Sequence, residues 1–284
     1  MVKHFLALVC LVTAAMTAQA QTKMKFGVHI DPTISFMGSN EKAVESDGAK
    51  MAFRFGVQGD IYFSESQKYA LTVGTGFLAG VGGTLNFRDG GRLLTRADLD
   101  KGSFINAAGQ RPTSGENMNF AAGTSIRYGV NYVPVSFGFK LTTEELGESF
   151  LRAFFHLPVI EVLIPVSASA KIEANGNILD DSYNTDGVYT GMFNGESAGE
   201  NIYKEIFPVN LSAGVGAGVE WSPNDNNGIR LIGGIYYNTG VFDMTKKVGL
   251  YDPLDVTAPT EARYKEKNPR NAFQTISLRI GVIF

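Results

Sequence analysis

Apolar and polar residues alternate with a period of two along much of this chain, in stretches too long for an ordinary half-buried strand. From Met51 to Phe63 the odd positions read Met51, Phe53, Phe55, Val57, Gly59, Ile61 and Phe63. The even ones read Ala52, Arg54, Gly56, Gln58, Asp60 and Tyr62. One face is apolar and the other small, polar or charged, which describes a strand with a different solvent on each side. The pattern returns from Tyr69 to Phe87, where Leu71, Val73, Phe77, Val81, Leu85 and Phe87 oppose Thr72, Gly74, Gly76, Gly80, Gly82 and Asn86. It returns from Phe207 to Trp221, where Val209, Leu211, Val215 and Val219 oppose Asn210, Ser212, Gly214, Gly216, Gly218 and Glu220. The closing residues are the clearest case, with Ile276, Leu278, Ile280, Val282 and Phe284 opposing Ser277, Arg279, Gly281 and Ile283.

Eight such segments can be marked, near 24–37, 50–64, 68–87, 124–141, 151–173, 205–223, 227–242 and 271–284. Their connections alternate in length. Short turns follow the second, fourth and sixth segments, and longer connections near 38–49, 88–123, 174–204 and 243–270 fall at the other end. An even strand number with loops sorted in this way is the mark of an outer-membrane barrel. The expected fold is all-β: an eight-stranded antiparallel up-and-down transmembrane barrel, with both termini on the periplasmic side. Lipid cannot satisfy backbone polar groups, so the sheet must close on itself. The apolar positions then face outward and the polar ones fill a narrow lumen.

By this count Arg54, Asp60, Lys140, Glu220, Arg230 and Arg279 point inward, as do His29 and Asp31 of the first segment. These eight residues are expected to form a lumen polar network that plugs the barrel. Phe63, Tyr69, Phe139, Trp221 and Phe284 fall on outward positions at the short-turn end, where an aromatic girdle at the membrane interface belongs. Two places break the alternation. The apolar set moves from even to odd positions at Tyr132-Val133-Pro134 and again at Leu157-Pro158-Val159-Ile160, so a bulge or register change is expected at both. On that count Glu161, Lys171 and Glu173 also face inward.

Composition explains itself against this frame. The 33 glycines among 284 residues are about 12% of the chain, well above the ~7% that is usual, without a collagen period. Many fall on inward positions, where a missing side chain leaves space. The mean hydropathy is close to zero because each strand averages two opposite faces. The formal net charge of -3 gives no electrostatic case for nucleic acid.

Residues 1–20 read as a cleaved export signal: Lys3 and His4, then an apolar stretch from Phe5 to Met16, then Ala18-Gln19-Ala20. The mature barrel domain is then 21–284, in the cell outer membrane. The single cysteine, Cys10, lies in the signal, so the mature domain uses no disulfide or thiolate chemistry.

Catalytic chemistry finds little support. His29 and Asp31 are placed to pair but lie toward the middle of a strand, and His156 has no nearby serine on its face. No cofactor and no metal site is expected. Asp180, Asp181, Asp186, Glu196 and Glu200 make the third long connection acidic without an EF-hand spacing. The second mixes Arg88, Arg92, Arg96, Lys101 and Arg111 with Asp89, Asp98, Asp100 and Glu116, and the fourth carries Lys246, Lys247, Arg263, Lys265, Lys267 and Arg270. Long loops on a rigid barrel are the natural place for partners.

Four stretches carry a family resemblance. They are Lys25-Phe26-Gly27-Val28; Tyr132-Val133-Pro134-Val135 with Lys140 and Thr142-Thr143-Glu144-Glu145; Pro208 to Trp221 with its Gly214-x-Gly216-x-Gly218-Val219-Glu220 run; and Leu278-Arg279-Ile280-Gly281-Val282-Ile283-Phe284. In these the chain resembles the PorT-type family of bacterial outer-membrane β-barrels. The resemblance implies a non-enzymatic component of protein secretion or surface assembly of the type IX kind. The alternative is a structural or adhesin-like barrel that presents binding loops. The expected partners are outer-membrane lipids and lipopolysaccharide, the barrel-assembly machinery during insertion, which the C-terminal Phe284 strand would signal, and subunits of a secretion complex.

Overall fold

The computed structural model describes residues 23–63, 66–87, 91–94, 118–120, 124–147, 150–174, 197–223, 228–246, 248–251, 264–267 and 270–284. Eight long strands carry the architecture: β1 Lys23–Gly38, β2 Lys50–Tyr62, β3 Tyr69–Val81, β4 Thr124–Thr142, β5 Leu151–Ala174, β6 Asn210–Trp221, β7 Arg230–Gly240 and β8 Ala272–Ile283. Each pairs antiparallel with the next, and β8 pairs with β1, so the ring closes. The closing seam sets His29 opposite Gly281 and Ile34 opposite Ile276, and the Phe26 and Phe284 backbones exchange hydrogen bonds of 2.9 and 2.7 Å at its end. The chain is an eight-stranded antiparallel up-and-down β-barrel.

Alternation sorts the side chains as the pattern requires. In β2, Met51, Phe53, Phe55 and Val57 are exposed on the outside while Ala52, Arg54, Gln58 and Asp60 are buried within. In β8, Ile276, Leu278 and Ile280 are exposed while Thr275, Ser277 and Arg279 are buried. The exterior therefore carries a continuous apolar belt around all eight strands. A belt of this extent belongs in hydrocarbon, where a closed ring leaves no backbone group unpaired.

Beyond the belt, toward the long connections, the two faces exchange character. The outward residues of β5 run from Ile164 and Val166 to Ser167, Ser169, Lys171 and Glu173. The inward ones become Leu163, Ala168, Ala170 and Ile172. A large buried cluster fills the barrel at this level, including Met37, Leu78, Val81, Ile126, Tyr128, Val130, Tyr132, Ile172 and Phe273. Ile202, Ile206 and Met244 from the connections join it. This crown is built like a water-soluble protein, apolar inside and polar outside, on strands that lower down are built the other way round.

The exchange corrects one sequence expectation. The apolar set does change parity at Tyr132-Val133-Pro134, but β4 itself does not shift: its even residues, Ile126 to Tyr132 and on to Lys140 and Thr142, face inward throughout. The surroundings change there instead of the backbone. The irregularities sit in the neighbours. Leu78 pairs with Tyr132 but Val81 with Val130, so the extra residue belongs to β3. Asn131 pairs with Ser167 but Tyr132 with Pro165, so there the extra residue belongs to β5.

Three placements follow from these bulges. Val81, Leu85 and Phe87, expected outside, are buried, because the β3 bulge reverses the parity of everything after Leu78. Gly80 accordingly lies in the bulge and Gly82 in the break just after Val81, with φ of 76° and 154° that side chains rarely adopt. Lys171 and Glu173, expected inside, face solvent, because the bulge at Val166 undoes the shift that the Leu157-Pro158 step introduces. Glu161, between the two shifts, faces inward as expected. The Leu157-Pro158 irregularity itself is present, since Gly138 pairs with Val159 but Lys140 with His156.

Candidate functional site

Below the crown the lumen is occupied by charge. Arg54, Lys140, Arg230 and Arg279 are buried with Asp31, Asp60, Glu161 and Glu220, four cations against four carboxylates. A buried charge needs a partner and satisfied hydrogen bonds, and the strand register supplies them. In the upper group, Arg54 of β2 grips Glu161 of β5 with both amino groups, Nη1 to Oε1 at 2.5 Å and Nη2 to Oε2 at 2.9 Å. Ser212 of β6 donates to the same carboxylate at 3.1 Å. Arg279 of β8 donates through Nη2 and Nε to Asp31 of β1, at 2.9 and 3.1–3.2 Å. His29 completes the set with Nδ1 2.8 Å from Asp31.

In the lower group, Lys140 of β4 sits between Asp60 of β2, at 2.6 Å, and Glu220 of β6. Thr72 donates to Asp60 at 2.8 Å. The chain of charges continues toward the short-turn end: Arg230 lies 3.7 Å from Glu220 and 3.6 Å from Glu145, which also holds Arg152 at 2.7 Å. Gln58 joins the two groups, accepting from Arg279 Nη1 at 3.2 Å and donating to Asp60 at 3.3 Å. Its single amide thus serves both a cation above and an anion below.

Aromatic residues pack between the charges. The Arg279 guanidinium carbon lies 4.0 Å from the Tyr236 ring centroid, within cation–π range. The Tyr236 hydroxyl is 2.8 Å from His156 Nδ1, and His156 Nε2 is 3.4 Å from Thr72 Oγ1. Glycines make this packing feasible. A Cβ at Gly216 would enter the Tyr236 ring, one at Gly218 would lie 2.7 Å from Phe154, and one at Gly56 would lie 2.5 Å from His29 Nε2. Part of the glycine surplus is thus the clearance that the lumen's large side chains need.

The structure buries His29, Asp31, Arg54, Asp60, Lys140, Glu220, Arg230 and Arg279 within the ring, and places Asp31 3.9 Å from Arg54 and 2.9 Å from Arg279. Sequence reading missed Gln58, Thr72, Ser212 and Tyr236, whose signal was an inward strand parity shared with many uncharged neighbours. The exposed ring positions Phe63, Tyr69, Trp221 and Phe284, with half-buried Phe139, mark the short-turn end, and Tyr69 stacks on Phe139 at 6.2 Å. In the turns there, Lys68 lies 2.6 Å from Glu144, and that hydrogen bond lowers the Glu144 pKa and raises that of Lys68.

Chemically, the network can hold and balance charge. The His29–Asp31 pair is buried beneath the crown, 6% and 1% exposed. Among the described residues no three His, Cys, Asp or Glu side chains converge as metal ligands. Residues 1–20, read from the sequence as an export signal, lie outside the described residues. So do Asp180, Asp181, Asp186 and Glu196 of the acidic connection; Arg88, Asp89, Arg96, Asp98, Asp100, Lys101, Arg111 and Glu116 of the mixed one; and Lys247 and Arg263 of the basic one.

No protein-family model and no curated protein matches the chain. Among solved structures, it is similar to the neisserial surface protein A at 10% identity and a TM-score of 0.36, over 91% of this chain and 95% of that one. It is similar to the attachment invasion locus protein of Yersinia pestis at 10% identity and a TM-score of 0.35, over 93% and 100%. It also aligns with the outer membrane protease OmpT of Escherichia coli at 9% identity and a TM-score of 0.40, over 94% and 99%.

Proposed function

We propose that this chain is a non-enzymatic barrel of the bacterial outer membrane, with a sealed lumen, that holds its long connections at the cell surface as an accessory of protein secretion or surface assembly. The observation that carries this reading is the division of the barrel into an apolar-belted lower part filled by paired charges and a crown filled by an apolar core. Among the described residues, paired charges and the crown core fill the ring. What it offers is a rigid mount. In this reading the short turns and both termini are periplasmic and the long connections extracellular. The PorT-type resemblance supports a secretion role.

A second reading, an adhesin-like barrel, draws on the crown itself. Its strands continue past the belt and take on further pairs, Ser197–Asn201 along β5 and Val44–Ser46 along Thr84–Phe87, so that a folded surface stands clear of the membrane. Deleting the gene and comparing secreted and surface proteins separates the two. Loss of a set of secreted proteins supports the accessory role. Unchanged secretion with reduced adherence supports the adhesin.

A further inference from the structure

The crown carries three cations on one patch of its surface. Arg127 of β4 and Lys171 of β5 are both exposed and are direct cross-strand partners. Like charges placed opposite one another across a sheet repel and destabilise the pair. Lys50, at the start of β2, reaches past Gly80 and places its ammonium over Gly129, donating to the Tyr128 carbonyl at 3.3 Å. A side chain at Gly129 would occupy the position of that ammonium. The three residues line one shallow cleft of ≈ 540 Å³ with Ser169 and Asn201. Glu173 lies on the same face two residues from Lys171, yet among the described residues no carboxylate forms an ion pair with any of the three.

The height of the patch decides what it meets. Below it on the same face come Gly129 and Asn131 of β4 and Ser169 and Ser167 of β5, and below these the apolar Met51 of β2, Val133 and Val135 of β4, and Ile164 and Val166 of β5. The cations therefore stand one short polar step above the edge of the belt. In a bilayer that level is the headgroup region, whose most abundant anionic group is phosphate, an acceptor that guanidinium and ammonium groups bind by charge-assisted hydrogen bonds.

We propose that the Lys50–Arg127–Lys171 cleft binds the phosphate of a lipid headgroup in the outer leaflet, with Arg127 as the forked donor and the two lysines flanking it. The bound phosphate relieves the repulsion between Arg127 and Lys171. This inference rests on the membrane placement proposed above, with the long connections outside.

The test uses the full mature chain in phosphatidylcholine nanodiscs with added diphosphoryl lipid A, read as lipid retained in native mass spectrometry. The expected result is retention by the parent protein and a loss of about tenfold or more in Arg127→Gln/Lys171→Gln and in the triple variant with Lys50→Gln. Lys68→Gln, at the opposite end, retains lipid as the parent does. Gel mobility before and after boiling verifies that each variant is folded. Equal retention by folded variants, equal retention of dephosphorylated lipid A, or displacement by inorganic phosphate at matching concentration overturns the proposal while leaving the membrane placement standing. Failure of the parent chain to insert into the bilayer overturns both.

Discussion

Arg54 and Glu161 form a two-pronged ion pair between β2 and β5, strands that are not neighbours in the ring, so the pair spans the lumen. Each partner is all but fully buried, 7% and 2% exposed at the side chain. Removing one partner strands the other charge. Glu161→Ala is expected to destabilise the barrel by about 3–5 kcal/mol, and Arg54→Met/Glu161→Met to recover much of that loss. Urea titration of folding in lipid vesicles, followed by gel mobility, checks both. A double variant less stable than either single one would show that the pair is not the unit that matters.

The filled lumen predicts electrical silence. Asp31, Lys140 and Glu220 are each 1–2% exposed at the side chain, and the crown core covers them. The purified chain in planar bilayers is expected to give no steady channels. Steady conductance from the parent protein would contradict the sealed arrangement.

Clearance at the glycines can be tested by contrast. Gly216→Leu drives a side chain into the Tyr236 ring and is expected to abolish folding or cost several kcal/mol, on the order of a strongly overpacked core position. Gly233→Ala meets nothing within 4 Å and is expected to change stability by less than about 0.5 kcal/mol. Thermal loss of the compact gel band ranks the two.

The belt and the crown predict opposite responses to the same substitution. Leu278, 50% exposed on β8, lies in the belt, and Leu278→Arg is expected to cost about 2–4 kcal/mol in a bilayer. Ser46, exposed on the crown strand Val44–Ser46, is expected to accept arginine with little effect. Folding into vesicles at graded urea measures both, and equal costs would place the belt's edge elsewhere.

Strand parity, loop lengths and the inward charges were legible because lipid and lumen impose opposite demands on alternate residues. Arg54, Asp60 and Arg279 stand out on an otherwise small or uncharged face. The same logic misled where its premise changed. Val81, Leu85, Phe87, Lys171 and Glu173 were placed as if the exterior were lipid along the whole strand, whereas at the crown it is water. There a hydrophobic residue belongs inside, and parity alone cannot say which solvent a position faces. Gln58 and Tyr236 were hidden for a different reason. An inward amide or phenol is unremarkable until its neighbours are known, and the register brings Arg279 and Asp60 to Gln58 from strands distant in sequence.

The reversal of the two faces between belt and crown also acts as a waterline. Sinking the barrel would draw Lys171 and Arg127 into hydrocarbon, and raising it would strip lipid from Ile164, Val166 and Met51. Both displacements are opposed by the strands themselves, so immersion depth is written into the ring and needs no separate anchor. A partner that pulls on the long connections therefore works against a mount that resists being drawn out of the membrane.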